Sequence, residues 1–369
     1  MKRKITIAKP NLDQNEITEV AEVLKSGILA SGPKTKAFEK DYAQYIGVKQ
    51  AIAVTNGTIA LDLALKALKI KPGDEVITSA FSFVASSNCI LFQNAKPVFA
   101  DIDPKTFNVD PIDVAEKVTS KTKAIIPVHL FGQPASMDAL QEISKDNGIY
   151  LVEDAAQAHG AEYKGQKVGG IGDIGCFSFY ATKNMTSGEG GIITTNDNKL
   201  AERARLLINH GQSQKYQHDI LGYNYRITEM CAAILQVQLK KLDAFNTKRM
   251  ENAELLNRGI NKINGLTHPY VSEGVKHVFH QYVVRVENNS PLDRNNLVEV
   301  LTEKGIGSTI HYPIPIYKQL LYQKLGYTDT KCPNTEDACA RVLSLPVHPL
   351  IAVKDITYIL NILKYTLTL

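Results

Sequence analysis

Three observations predict an α/β fold for this 369-residue sequence: a large domain built on a mostly parallel sheet, carrying a smaller carboxyl-terminal α+β domain. From about residue 50 to 195, short β-rich runs alternate with amphipathic helical stretches, the rhythm of strands joined by helical crossovers. A long amphipathic stretch then runs from Glu229 to Met250. Beyond it the pattern changes to one strand, one helix and a Pro-rich run, enough for a second small core.

Each element follows from its local pattern. AIAVT reads as a strand and LDLALKAL as the helix after it. DEVITSA, KPVFADID and AIIPVHL are strand-like, MDALQEISKDNG is helical, and IYLVEDAA is a buried strand. GCFSFYA and GGIITTN are again strands, so the residues between them form a loop. Helices are expected over 198–208 and over 229–250, the latter with Met230, Ile234, Val237 and Leu242 on its apolar face. The domain boundary is placed near residue 245, giving domains 1–245 and 246–369. In the second, QYVVRVE is a strand, DRNNLVEVLTEKG a helix, and HYPIPIYKQ irregular.

Charge and cysteine content narrow the function classes. The formal net charge is +4 with basic residues interspersed, which leaves no footprint for nucleic acid. No apolar run is long enough to cross a bilayer, and MKRKITIAKPNLDQ lacks a hydrophobic segment followed by a cleavage site, so a cytoplasmic protein is expected. Cys89, Cys176, Cys231, Cys332 and Cys339 are scattered and never spaced CxxC, which predicts reduced packing residues. His159, His311 and His348 lack any metal-ligand spacing.

The stretch GGIGDIGCFSFYATKNMTSGEGG carries two competing signatures. Gly170, Gly172 and Gly175 match GxGxxG, but a turn-like YKGQKVGG precedes them and a strand, not a helix, follows. The nicotinamide dehydrogenase reading therefore loses its main support. Lys183 alone would be a solvated loop charge. Two other features give it a context. Asp154 stands at the end of a buried strand, where parallel sheets present ligand-binding groups, and could otherwise be a turn or cap residue. Asn56-Gly57-Thr58 joins a strand to a helix whose amino end can hold an anion, with Ser178 able to add a hydroxyl. A lysine for an imine, a carboxylate for a ring nitrogen and a phosphate cradle together match pyridoxal 5′-phosphate.

In order along nearly the whole chain, SGILASGPKTKAFEKDYAQYIG, TNGTIAL, TSAFSFVASSN, KPVFADID, VEDAAQAHGA, FSFYATKNMTSGEGG, GYNYRITEM, HYPIPIYKQ and SLPVHPL resemble the DegT/DnrJ/StrS family of pyridoxal-phosphate sugar aminotransferases. The resemblance implies the aspartate aminotransferase-like fold, fold type I, in homodimers with shared active sites to which the amino-terminal segment contributes. It makes Lys183 the residue that bonds the cofactor as an imine and later shuttles a proton. Asp154 would pair with the pyridine nitrogen, Gln157 contact the ring oxygen, and Phe83 stack on the ring unless it is a plain core aromatic. Gly57, Thr58 and Ser178 would hold the phosphate, joined by Asn224 from the neighbouring subunit. His311 and Tyr312 resemble a segment beside the substrate pocket, and Arg226 would meet an acidic or phosphate group or else form a surface salt bridge. Family members with histidine in place of the lysine are sugar dehydratases; this chain has the lysine. The resemblance thus implies ping-pong transfer of an amino group, from L-glutamate, to a nucleotide-linked keto-sugar in glycan precursor synthesis. Aminotransferases of cyclitols, enzymes making aromatic amino acids and a non-catalytic cofactor-binding regulator are the alternatives.

Overall fold

The computed structural model describes residues 4–367, so Met1 to Arg3 of the amino-terminal stretch read above lie outside the described residues. Seven strands form the main sheet: β1 Gln50–Val54, β2 Glu75–Ser79, β3 Lys96–Ala100, β4 Thr122–Ile126, β5 Tyr150–Asp154, β6 Ile174–Ser178 and β7 Gly191–Thr195. Their spatial order is β1-β7-β6-β5-β4-β2-β3. Only β7 runs against its neighbours; the rest are parallel, as the alternating pattern predicts. Because β1 and β6 both pair antiparallel with β7, their carboxyl ends lie on one edge, with Val54, Gly191 and Ser178 in register.

Helices cover both faces. The helices are α1 Gln14–Ser26, α2 Pro33–Ile46, α3 Gly57–Ala67, α4 Ala85–Leu91, α5 Pro111–Glu116, α6 Met137–Asn147, α7 Asn198–Ile208 and α8 Glu229–Ile260. Strand periodicity divides the side chains. Ile52, Val54, Val76 and Val152 pack beneath α3, α4 and α7, whereas Ala51 and Ala53 join the cluster containing Phe38 and Tyr42 of α2 and Leu235 of α8. Asn56 caps α3 by accepting from the Ile59 amide, Asp197 caps α7 and Thr228 caps α8, which sets where each helix begins. Gly32 leaves α2 without a side-chain cap of its own. Glu229 serves instead, accepting from the amides of Gly32, Lys34 and Thr35.

The helix expected over 229–250 continues unbroken to Ile260. Arg249 and Asn252, polar yet buried, interrupt the apolar periodicity there, which is why the pattern stops short. Residue 245 thus falls inside α8 rather than in a linker. Leu242 belongs to the core against the sheet, while Ala253, Leu256 and Ile260 belong to a second core. That core is completed by a three-stranded antiparallel sheet, β8 Leu266–Thr267, β9 Tyr282–Val286 and β10 Val342–Leu345, and by α9 Arg294–Glu303 and α10 Val353–Leu367. Ile5 of the amino-terminal segment also packs into it. No helix among the described residues is long and apolar enough to cross a membrane.

Candidate active site

The site grows from the shared strand edge. β1 ends at Val54 and α3 begins at Gly57, directly beside Ser178 at the end of β6. A Cβ on Gly57 would lie 2.6 Å from Ser178 Cβ, and one on Gly191 would lie 2.4 Å from the Asn56 carbonyl oxygen. Only glycine at both positions lets the three segments close up. The first amides of α3, at Gly57 and Thr58, have no partner within the helix, and its dipole adds positive potential. With Asn56 engaged at Ile59, these amides and the Ser178 hydroxyl make a candidate anion cradle.

One strand away, Asp154 ends β5 and is 5% exposed. Ser86 Oγ donates to its Oδ2 at 2.7 Å and the Ala156 amide to Oδ1 at 3.2 Å. Burial raises its pKa against the opposing pull of Ser86, Ala156 and Lys183, and among the described residues no cation lies within ion-pair distance of it. Ser86 was not singled out in the sequence; its signal was the Ser-rich TSAFSFVASSN run.

Lys183 lies in the loop between β6 and β7, held in a turn by its own amide donating to the Tyr180 carbonyl. Loss of hydration pushes its pKa down to about 8, with the charge of Asp154 partly restoring it. A substantial neutral fraction at physiological pH is what a nucleophilic or proton-transferring amine requires. Behind the loop, Asn184 Nδ2 donates to Asn246 Oδ1 and to the Val278 carbonyl, tying the lysine to α8 and to the segment before β9. These asparagines were also missed, because nothing local marks a buried amide pair.

Gln157 Oε1 accepts from the Phe131 amide at 2.8 Å, and its Nε2 donates to Tyr312 Oη at 3.0 Å. The amide is thereby fixed with one N–H left to face the cleft. Tyr312 reaches across from the carboxyl-terminal part of the chain, and His311 beside it bonds Ser344 Oγ through Nδ1 at 2.8 Å. Burial, reinforced by Lys183, lowers the His311 pKa to about 4. Phe83 is not a core residue: it is 58% exposed, one turn before Ser86, with Tyr312 at 6.5 Å between ring centroids. His159 is structural, its ring held between Tyr42 Oη and the Ser178 carbonyl. Among the described residues no cluster of ligating side chains could hold a metal ion.

Asn224 and Arg226 flank the end of β1, where Arg226 forms a bridge with Val54. Their segment runs beside β1, the Tyr225 carbonyl accepting from the Thr55 amide at 3.0 Å. Arg226 donates to Asn209 Oδ1 at 2.5 Å rather than to a carboxylate, and Asn224 is exposed.

The GxGxxG stretch folds around an internal anion. The amides of Gly169, Ile171 and Gly172 donate to the buried Glu153 carboxylate at 2.7 to 2.8 Å, and His129 Nε2 lies 3.0 Å from it. A protein carboxylate fills the loop where a dinucleotide phosphate would otherwise sit. Glu153→Ala leaves these donors unpaired and is expected to destabilise the fold by roughly 3–5 kcal/mol. Chemical denaturation checks this, and a loss below about 1 kcal/mol would contradict the role given to the loop.

The arrangement suits pyridoxal phosphate on its own terms. Among the described residues the buried carboxylate has no cation at ion-pair distance, which suits a protonated ring nitrogen; the glycine-built cradle suits a phosphate, and a lysine with a lowered pKa feels the charge of that carboxylate. Sheet order, crossover helices and this site together define a fold type I aminotransferase architecture.

The model of the DegT/DnrJ/EryC1/StrS aminotransferase family matches residues 10–364, and the chain belongs to that family. It is 44% identical to the pleiotropic regulatory protein of Geobacillus stearothermophilus, covering 89% of this chain and 88% of that one. It is 39% identical to the GDP-perosamine synthase of Caulobacter vibrioides, covering 99% and 98%. Among solved structures, the putative sugar aminotransferase Spr1654 of Streptococcus pneumoniae in its PLP form superposes with a TM-score of 0.94 at 31% identity, covering 99% of both chains.

Proposed function

We propose that this aminotransferase uses pyridoxal phosphate to move an amino group from L-glutamate to a nucleotide-linked keto-sugar, in alternating half-reactions. The observation that carries the reading is the convergence of Lys183, Asp154 and the Gly57–Ser178 cradle at one sheet edge. Resemblance to a GDP-perosamine synthase over nearly the full length supports the sugar class.

When bound, the cofactor supplies an electron-accepting ring that stabilises negative charge at the donor's α-carbon. The amides of Gly57 and Thr58 and the hydroxyl of Ser178 bind its phosphate. Asp154, oriented by Ser86, would hold the ring-nitrogen proton in place. Gln157, anchored by Phe131 and Tyr312, would contact the ring oxygen through its remaining N–H, and exposed Phe83 would pack on the ring. Lys183 Nζ would take the α-carbon proton from the amino donor and, in the second half-reaction, deliver a proton to the carbon of the acceptor that receives the amine, which its lowered pKa favours. His311 and Tyr312 would border the acceptor side, and exposed Asn224, with Arg226 bonded to Asn209, would act across a homodimer interface. Apolar Leu12, Ile17, Leu24, Ile28 and Leu29 stand exposed in and around α1 and suit such an interface; sedimentation at twice the chain mass would support it.

The test is incubation with pyridoxal phosphate, glutamate and GDP-, UDP- or dTDP-linked keto-sugars, with products read by mass spectrometry. An aminated nucleotide sugar is expected. Amination of a cyclitol ketone with none of the nucleotide sugars accepted would replace this reading. The regulator alternative is disfavoured because the complete lysine, carboxylate and cradle set is retained.

A further inference from the structure

Asp154 stands at the end of a chain of buried hydroxyls. Ser86 Oγ lies 2.7 Å from Asp154 Oδ2, and Ser82 Oγ lies 3.0 Å from Ser86 Oγ. Ser82 is 4% exposed and Ser86 1%, so each hydroxyl depends on its protein partners. Proton counting fixes the direction of the chain. A hydroxyl carries one proton and an ionised carboxylate only accepts, so the short contact to Asp154 uses the proton of Ser86. The Phe83 carbonyl, 3.3 Å from Ser86 Oγ, is the longer alternative. Ser82 must then donate to Ser86.

The segment that carries both serines is held from two sides. Ser79 Oγ, at the end of β2, accepts from the Phe81 amide. Tyr322 Oη, from the carboxyl-terminal part of the chain, contacts Ser87 Oγ at 2.6 Å and Asn88 Oδ1 at 2.8 Å. Phe83, between the two serines, is exposed, whereas the serines are buried together.

Burial opposes the charge of Asp154, and the bond from Ser86 is the strongest influence favouring it. A donor to Ser86 strengthens that bond, because successive hydrogen bonds polarise one another, most of all in a dry site. We propose that Ser82 is a positioning residue for the cofactor carboxylate, donating to Ser86 so that Asp154 stays ionised and aimed at the ring nitrogen. The inference rests on the aminotransferase reading above and adds to its site a residue that acts only through Ser86.

Two quantities test it in the full chain. Release of pyridoxal phosphate from the holoenzyme in equilibrium dialysis gives its affinity, and carbon NMR of labelled aspartate carboxyls in cofactor-free protein follows Asp154, whose signal is the one missing in Asp154→Asn. Ser82→Ala is expected to weaken cofactor binding by about three- to tenfold and to raise the titration midpoint of Asp154 by roughly 0.5–1 pH unit, since the ionised form is the one that loses support. Ser82→Thr, which keeps the hydroxyl, should stay near wild type. In a Ser86→Ala background, Ser82→Ala should add nothing to either quantity, because the path to Asp154 is already cut. The other titratable groups facing Asp154 are Lys183, His129, Cys89, Cys176 and Tyr312, and every one of these variants retains them. A lower melting temperature in Ser82→Ala with both quantities unchanged would make Ser82 a packing residue and overturn the proposal, as would an undiminished effect in the Ser86→Ala background. Should Ser82→Ala not fold, the weaker donor in Ser82→Cys must move both quantities in the same direction, and no movement overturns the proposal equally. If wild type binds no pyridoxal phosphate, the aminotransferase reading fails, and the titration of Asp154 still decides the role of Ser82.

Discussion

Lys183→Ala is expected to lower turnover by roughly 10³-fold or more and to remove the visible band of covalently attached cofactor. Among the described residues the half-buried lysine has no side-chain hydrogen bond to lose, so the variant should fold with a melting temperature close to wild type. The pH dependence adds a second check. Burial pulls the amine's pKa to about 8, so below that value most of the amine is protonated and cannot attack. Covalent attachment of the cofactor should therefore accelerate by nearly tenfold per unit as pH rises below 8, then level off. A variant retaining near-normal turnover, or an attachment rate flat between pH 6 and 8, would remove Lys183 from the mechanism.

Asp154→Asn is expected to act in opposite directions on stability and on catalysis. The carboxylate is buried, and burial outweighs the bonds from Ser86 and Ala156, so its charge is held at a cost in the free protein. An asparagine of the same shape keeps an oxygen for Ser86 and removes that charge. The cofactor-free variant should melt at or above the wild-type temperature. Catalysis should fall by roughly 10²–10³-fold, because the ring-nitrogen proton loses its counter-charge, and retention of the cofactor should weaken with it. Ser86→Ala, which leaves the carboxylate but frees it to turn, should produce a smaller loss of the same kind. Activity of Asp154→Asn within about threefold of wild type would mean that the carboxylate faces something other than a protonated ring.

The strand edge and its residues show where sequence reading is sound. Strand and crossover signals are local, set by apolar periodicity and caps such as Asn56 and Asp197, and β1 to β7 and α7 follow them. Gly57, Asp154, Ser178 and Lys183 could be singled out as candidates because each lies at the end of a strand or in the loop that follows. In an α/β sheet those positions share one edge whatever the detail. The same logic rejected GxGxxG, since a strand follows it.

Sequence alone therefore determined the fold class and the position of the candidate residues at the strand ends, both of which depend on neighbours within a few positions. Tertiary structure decided what depends on long-range approach. It brought Ser86 to Asp154, Tyr312 to Gln157 and Glu229 to the start of α2, and it carried α8 past Met250 into the second core. It also buried Arg249 without a counter-ion beside Lys183. Burial and pairing of a polar group are set by which segments close around it, and no periodicity in the chain records that.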